Sequence, residues 1–157
     1  MTMFELNFRP SFELISIVRR FVSDFYKKML NDADAVSRVA LATHELLENA
    51  VKYSTDGGTN LSITVEHSAE TSVVMIRLSN RASPENIRAI NAIFEEMKSQ
   101  PDPFAHYQMA MERSAKQKEG SGLGLIRVRA EGEMTMSHTV NDDTVCILAQ
   151  THVGRSA

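Results

Sequence analysis

The most constraining feature of the chain is a pair of alternating runs joined by a short reversal. Leu61, Ile63 and Val65 alternate with Ser62, Thr64 and Glu66, and after Ser68 to Thr71 the apolar residues Val74, Ile76 and Leu78 repeat the pattern. A period of two puts successive side chains on opposite faces, so the stretch predicts two strands with one shared buried face. That face must be covered. The covering elements are equally visible, because the segments on either side carry apolar residues at helical spacing.

Leu14, Ile15, Val18, Phe21, Val22, Phe25 and Met29 form one stripe between Phe12 and Leu30, with Arg19, Arg20, Lys27 and Lys28 on the other side. Ser11 is placed to cap this helix, and Asn31 to Asp34 breaks it and offers caps for the next. Phe4, Leu6 and Phe8 alternate as a strand ending at Pro10, while 54–60 reads as a turn by composition. Ser83-Pro84 opens a helix whose stripe is Ile87, Ile90, Phe94 and Met97, and Gln100-Pro101-Asp102-Pro103 stops it. The polar, methionine-bearing segment at 101–119 reads as a weakly amphipathic, mobile helix or lid. Met134 to Val140 and Thr144 to Val153 are two further strands joined at Asn141-Asp142-Asp143, and residues 154–157 are a tail. The succession argues for one α+β domain over residues 1–157. It is a two-layer sandwich, with a mixed sheet of about five strands covered on one face by about five helices.

At 157 residues the chain is long enough for one well-buried core and short for two. A net charge of −3 gives no overall attraction to nucleic acid or to an anionic membrane. The single cysteine, Cys146, excludes a disulfide framework within the chain and fits a reducing compartment. No apolar stretch approaches the roughly 20 residues that span a bilayer, and the N-terminus has no basic region before an apolar one. A cytoplasmic protein that binds neither nucleic acid nor membrane is expected.

Chemistry concentrates in two places. From Thr43 to Ser54 the chain reads Thr-His-Glu-Leu-Leu-Glu-Asn-Ala-Val-Lys-Tyr-Ser, and on a helix Glu45, Asn49 and Lys52 project in nearly one direction, with Arg38 two turns earlier. Asn49 offers an oxygen to a divalent cation, Glu45 offers a base, and Lys52 offers a charge to phosphate. Alone, this pattern is more often the solvated face of an amphipathic helix. The second place is Gly120-Ser121-Gly122-Leu123-Gly124-Leu125, a glycine-rich loop running into a helix, where backbone N–H groups can converge on phosphate oxygens. Alone, its spacing is also that of a tight turn.

In order and separation the two stretches resemble the N box and the second glycine box of the GHKL (histidine-kinase-like) ATPase superfamily. Among its members the short, single-domain form is most similar to the anti-sigma-factor serine kinases. The resemblance implies a Bergerat-type ATP-binding fold, with Asn49 as magnesium ligand and Glu45 as general base. It further implies that Gly120, Ser121, Gly122, Leu123 and Gly124 line the triphosphate of ATP, with Lys52 alongside. The implied activity is ATP-dependent phosphorylation of a small regulatory partner protein in a partner-switching circuit. A sigma factor and a second copy of the chain are further candidate partners.

One departure stands out. Where the family has Asp-x-Gly-x-Gly, whose Asp accepts a hydrogen bond from adenine, this chain has Asn80-Arg81-Ala82-Ser83-Pro84. Asn80 shares parity with Val74, Ile76 and Leu78, so it emerges at the end of a buried face where it could meet a base or serve a turn. Loss of both glycines opens an alternative function, a binding module of the same fold that sequesters a partner without turning over nucleotide. A histidine-kinase catalytic half is disfavoured, because no histidine lies on the one amphipathic helix upstream.

Overall fold

The computed structural model describes residues 1–9, 11–116 and 122–154, and the side chains of all of these except 56 and 57. Among the described residues the order of elements is β1 (Thr2–Phe8), α1 (Phe12–Met29), α2 (Ala33–Tyr53), β2 (Ser54–His67) and β3 (Thr71–Ala82). Then come α3 (Pro84–Ser99), α4 (Pro103–Lys116), α5 (Leu123–Ala130), β4 (Thr135–Asn141) and β5 (Thr144–Gly154). The strands form one sheet in the order β1-β2-β3-β5-β4.

The two-layer α/β sandwich is as expected, but the sheet is not mixed: every pairing in it is antiparallel. The helical crossover from β3 does return β4 in the same sense as β3, as such crossovers do. However, β5 turns back at Asn141 to Thr144 and inserts between them, pairing with β3 on one side and β4 on the other. Parallel sense therefore never becomes parallel pairing.

The helices begin where their caps predict. Ser11 Oγ accepts from the Leu14 N–H at 3.2 Å, Asp32 Oδ1 from those of Asp34 and Ala35, and Ser83 Oγ from that of Asn86 with Pro84 in the first turn. Each cap satisfies donors that a helix start leaves unpaired. Leu61, Ile63, Val65, Val74, Ile76 and Leu78 are fully buried, and they meet Val22, Val39, Leu46 and Leu47 from the helices. Inside this core the Tyr26 hydroxyl lies 2.8 Å from Thr43 Oγ1, which donates in turn to the Val39 carbonyl, so the phenol is the donor. Burial pushes the Tyr26 phenol far above its ordinary value, more than the Thr43 contact lowers it.

Two segments differ from expectation. The stretch 54–60 belongs to β2, and the register shifts between Ser54, opposite Ala82, and Thr59, opposite Asn80. The extra residues that looked like a turn are taken up as an irregularity within the strand. In the segment expected as a mobile helix or lid, the helix α4 is anchored by His106, which is fully buried, and by Ala110. Arg129 Nη1 faces His106 Nδ1 at 3.4 Å and can only donate, so the opposite ring nitrogen donates to Glu96 Oε1 at 2.8 Å. Arg113 also binds Glu96. Burial alone would raise the Glu96 carboxyl, but the hydrogen bonds from Arg113 and His106 outweigh it and hold it below the ordinary range.

Candidate functional site

Helix α2 is amphipathic, and burying Val39, Leu46, Leu47 and Ala50 against the sheet turns Glu45, Asn49 and Lys52 the other way. They open onto a cleft of about 460 Å³ whose lining includes Glu45, Glu48, Asn49, Lys52 and Tyr53 of α2 together with Gly122, Leu123 and Gly124. Phe12, at the start of α1, stands at the cleft and is 74% exposed. Residues separated by some seventy positions are thus brought together on one cleft. Gly120 and Ser121 lie outside the described residues.

Two glycines stand where an added side chain would crowd a neighbour. Gly122 caps α5 in the left-handed conformation, φ 67°, and a Cβ there would meet the Ile93 side chain at 2.5 Å. A Cβ on Gly124 would come within 2.8 Å of Glu45 Oε2, so the carboxylate rests directly against the first turn of α5.

Glu45 has a partner that the sequence did not suggest. Its Oε1 accepts from Arg127 Nη1 at 3.0 Å, and Arg127 Nε binds Glu131 Oε2 at 2.9 Å one turn along α5. Tyr107 of α4 hydrogen-bonds to Glu131 in turn. The Glu45 side chain is only 13% exposed. Its burial raises the carboxyl above the ordinary value, and this outweighs the lowering by Arg127; Glu48 adds to the rise and His44 opposes it. A carboxylate that holds its proton more tightly than usual, yet is aimed by a cation, suits a general base. Arg127 was hidden among the basic residues after the glycines; its i,i+4 relation to Glu131 was the available signal.

Asn49 is half-buried and lines the cleft. No group of three or more His, Cys, Asp or Glu among the described residues could hold a metal ion by itself. A cation here would therefore take most of its ligands from a phosphate and water, as magnesium commonly does, with Asn49 contributing one oxygen. The Lys52 ammonium lies 5.2 Å from the centre of the Tyr53 ring, and the buried Tyr53 hydroxyl has no hydrogen-bond partner among the described residues.

Two further candidate residues do not line this cleft. Arg38 binds the Gly132 carbonyl and Thr151 Oγ1 at 3.1 Å and pairs with Glu133, joining α2 to the end of α5 and to β5. Asn80 is buried, as its parity required, but it lines a second, shallower concavity of about 450 Å³ at the end of the sheet, with Thr59, Asn60 and Ser79 among its neighbours. Its Nδ2 donates to the Arg81 carbonyl at 3.2 Å. Nearby, Asn86 Nδ2 donates to the Tyr53 carbonyl at 3.3 Å, tying the start of α3 to the end of α2.

No helix among the described residues is long and apolar enough to cross a membrane. No family model and no curated protein matches the chain. Its fold is similar to that of a chain in the crystal structure of the SiaB-SiaC complex from Pseudomonas aeruginosa, with a TM-score of 0.64 and 15% sequence identity, over 96% of this chain and 89% of that one.

Proposed function

We propose that the chain is an ATP-dependent serine kinase of the anti-sigma-factor type, acting in the cytoplasm on a small regulatory partner in a partner-switching circuit. The observation that carries this reading is the convergence of Glu45, Asn49, Lys52, Gly122 and Gly124 on one cleft. The SiaB-SiaC likeness, that of a fold found in a two-protein complex, agrees with a protein partner. A sigma factor or a second copy of the chain would be additional partners of the same circuit.

In this reading the N–H groups at the start of α5 and the Lys52 ammonium bind the phosphates. Magnesium, held in part by Asn49 Oδ1, would supply charge neutralisation on those phosphates. Glu45 takes the proton from the partner's serine hydroxyl as its oxygen bonds to the γ-phosphorus. The bond between that phosphorus and the β–γ bridging oxygen breaks, and its electron pair leaves with ADP. Incubation of the protein with magnesium, γ-labelled ATP and partner captured from the native host tests the reading; label on a partner serine supports it.

A second reading has its own support. Asn80 stands apart from the cleft, with its amide engaged by Arg81, and Asn86 bridges to Tyr53. A base reaching Asn80 would have to displace such contacts, which favours a module that binds its partner without nucleotide turnover. Capture of the partner with equal affinity in EDTA and in magnesium plus ATP, without transfer, supports this alternative.

A further inference from the structure

Within the cleft, the two oxygens of Glu45 do different things. Oε1 is held by Arg127 at 3.0 Å, while Oε2 faces Gly124 so closely that a Cβ there would stand 2.8 Å away. Arg127 is itself fixed from the other side by Glu131 at 2.9 Å, so its guanidinium forks between two carboxylates and has little freedom to turn. We infer that Arg127 is the positioning residue for Glu45, fixing one carboxylate oxygen so that the other is presented to the first turn of α5. The inference rests on the kinase reading of the same cleft for its consequence, but its geometry stands without nucleotide.

The electrostatics demand such a residue. Glu45 is nearly buried, and a carboxylate removed from water reverts to its neutral form unless a cation offsets the loss of solvation. The groups that face it are Arg127 and Glu131 of α5, Tyr107 of α4, and His44, Glu48 and Lys52 of α2. Among them Arg127 is the cation that binds the carboxylate directly. His44 is committed to Glu48 at 3.0 Å, and Lys52 sits over Tyr53. Without Arg127 the carboxylate would be both less ionised and free to change rotamer, and a base must be ionised and aimed to accept a proton.

The test is the titration of Glu45 itself in nucleotide-free protein, followed by carbon-13 NMR of labelled glutamate carboxyls and assigned by the signal lost in Glu45→Gln. Arg127→Met should make Glu45 release its proton only at a proton concentration about tenfold lower or more, since an opposite charge this close commonly shifts a carboxyl by that much. Arg127→Lys should stay near the wild type. Arg127→Gln, closer in shape, carries the same expectation as Arg127→Met should the latter fold poorly. A midpoint unchanged by loss of the charge overturns the inference, because a packing role alone would lower the melting temperature and leave the titration in place. In the transfer assay, Arg127→Met should lower kcat and move the acid limb of the pH profile upward, with KM for ATP unchanged. A wild-type protein that transfers no phosphate refutes the kinase reading, and the titration still decides the role of Arg127.

Discussion

The Glu45 carboxylate and the Arg127 guanidinium meet at 3.0 Å, joining α2 to α5 across 82 positions of sequence. This contact brings the two motif-bearing segments into one site. Loss of the carboxylate should therefore separate chemistry from binding: Glu45→Ala should reduce phosphoryl transfer by about 10² to 10⁴, the usual range for a general base, with ATP affinity nearly intact. A rate assay paired with a binding titration checks it, and unchanged turnover would remove Glu45 from the mechanism.

The same residue should make stability depend on pH in a particular sense. Folding raises the Glu45 carboxyl, so the folded chain binds that proton more tightly than the unfolded chain. The stabilisation is present below the ordinary glutamate value of about 4.3 and is lost as pH rises through the folded value. Glu45→Gln cannot titrate. Its melting temperature relative to wild type should therefore rise as pH increases from about 4.3 through the folded value. A difference that stays constant over this range would mean that burial does not raise Glu45.

Gly124→Ala should act through the neighbouring carboxylate. The added Cβ would press on Glu45 Oε2, whose side chain is enclosed and held by Arg127, so the carboxylate must shift. A misplacement of this kind can cost about 10²-fold in rate. Circular dichroism should show the fold retained while transfer falls; full activity would show that Oε2 need not rest against α5.

In the α4 anchor, His106→Ala should destabilise the protein by about 2 to 3 kcal/mol, since it removes a fully buried side chain and leaves Glu96 and Arg129 without it. Hydrogen exchange should accelerate most in α4, Pro103–Lys116. We further expect nucleotide to protect the segment at 101–119 from proteolysis, as a lid would require. Equal digestion with and without saturating ATP would count against a lid.

The parts of this structure legible in the sequence are those set by local pattern. The alternation at Leu61 to Val65 and Val74 to Leu78 specified a half-buried hairpin, and Ser11, the stretch Asn31 to Asp34 and Ser83 marked helix starts, because caps and periodicity are properties of neighbouring residues. Strand order was not legible. Periodicity says which face is buried but not which neighbour a strand takes, so the insertion of β5 between β3 and β4 was missed. The glycine-rich 54–60 segment looked like a turn because composition reports conformational freedom, whereas its pairing opposite β3 is a tertiary choice. For the site, the spacing of Glu45, Asn49 and Lys52 on one helix was enough to place them together. The parity of Asn80 correctly buried it, but the concavity that it lines at the end of the sheet is a product of tertiary structure. Arg127 was missed because its contact with Glu45 joins α5 to α2 across 82 positions of sequence.

The role of Asn49 gives the most direct test of the account. Calorimetric titration of ATP into wild type and Asn49→Ala, each in magnesium and in EDTA, measures whether the cleft takes a metal-bound nucleotide. The account predicts that wild type binds ATP with magnesium, that Asn49→Ala binds at least about tenfold more weakly under the same condition, and that the two proteins differ little in EDTA. A wild type that takes up no ATP in magnesium, or an Asn49→Ala protein equal to wild type in magnesium and different only in EDTA, would contradict it.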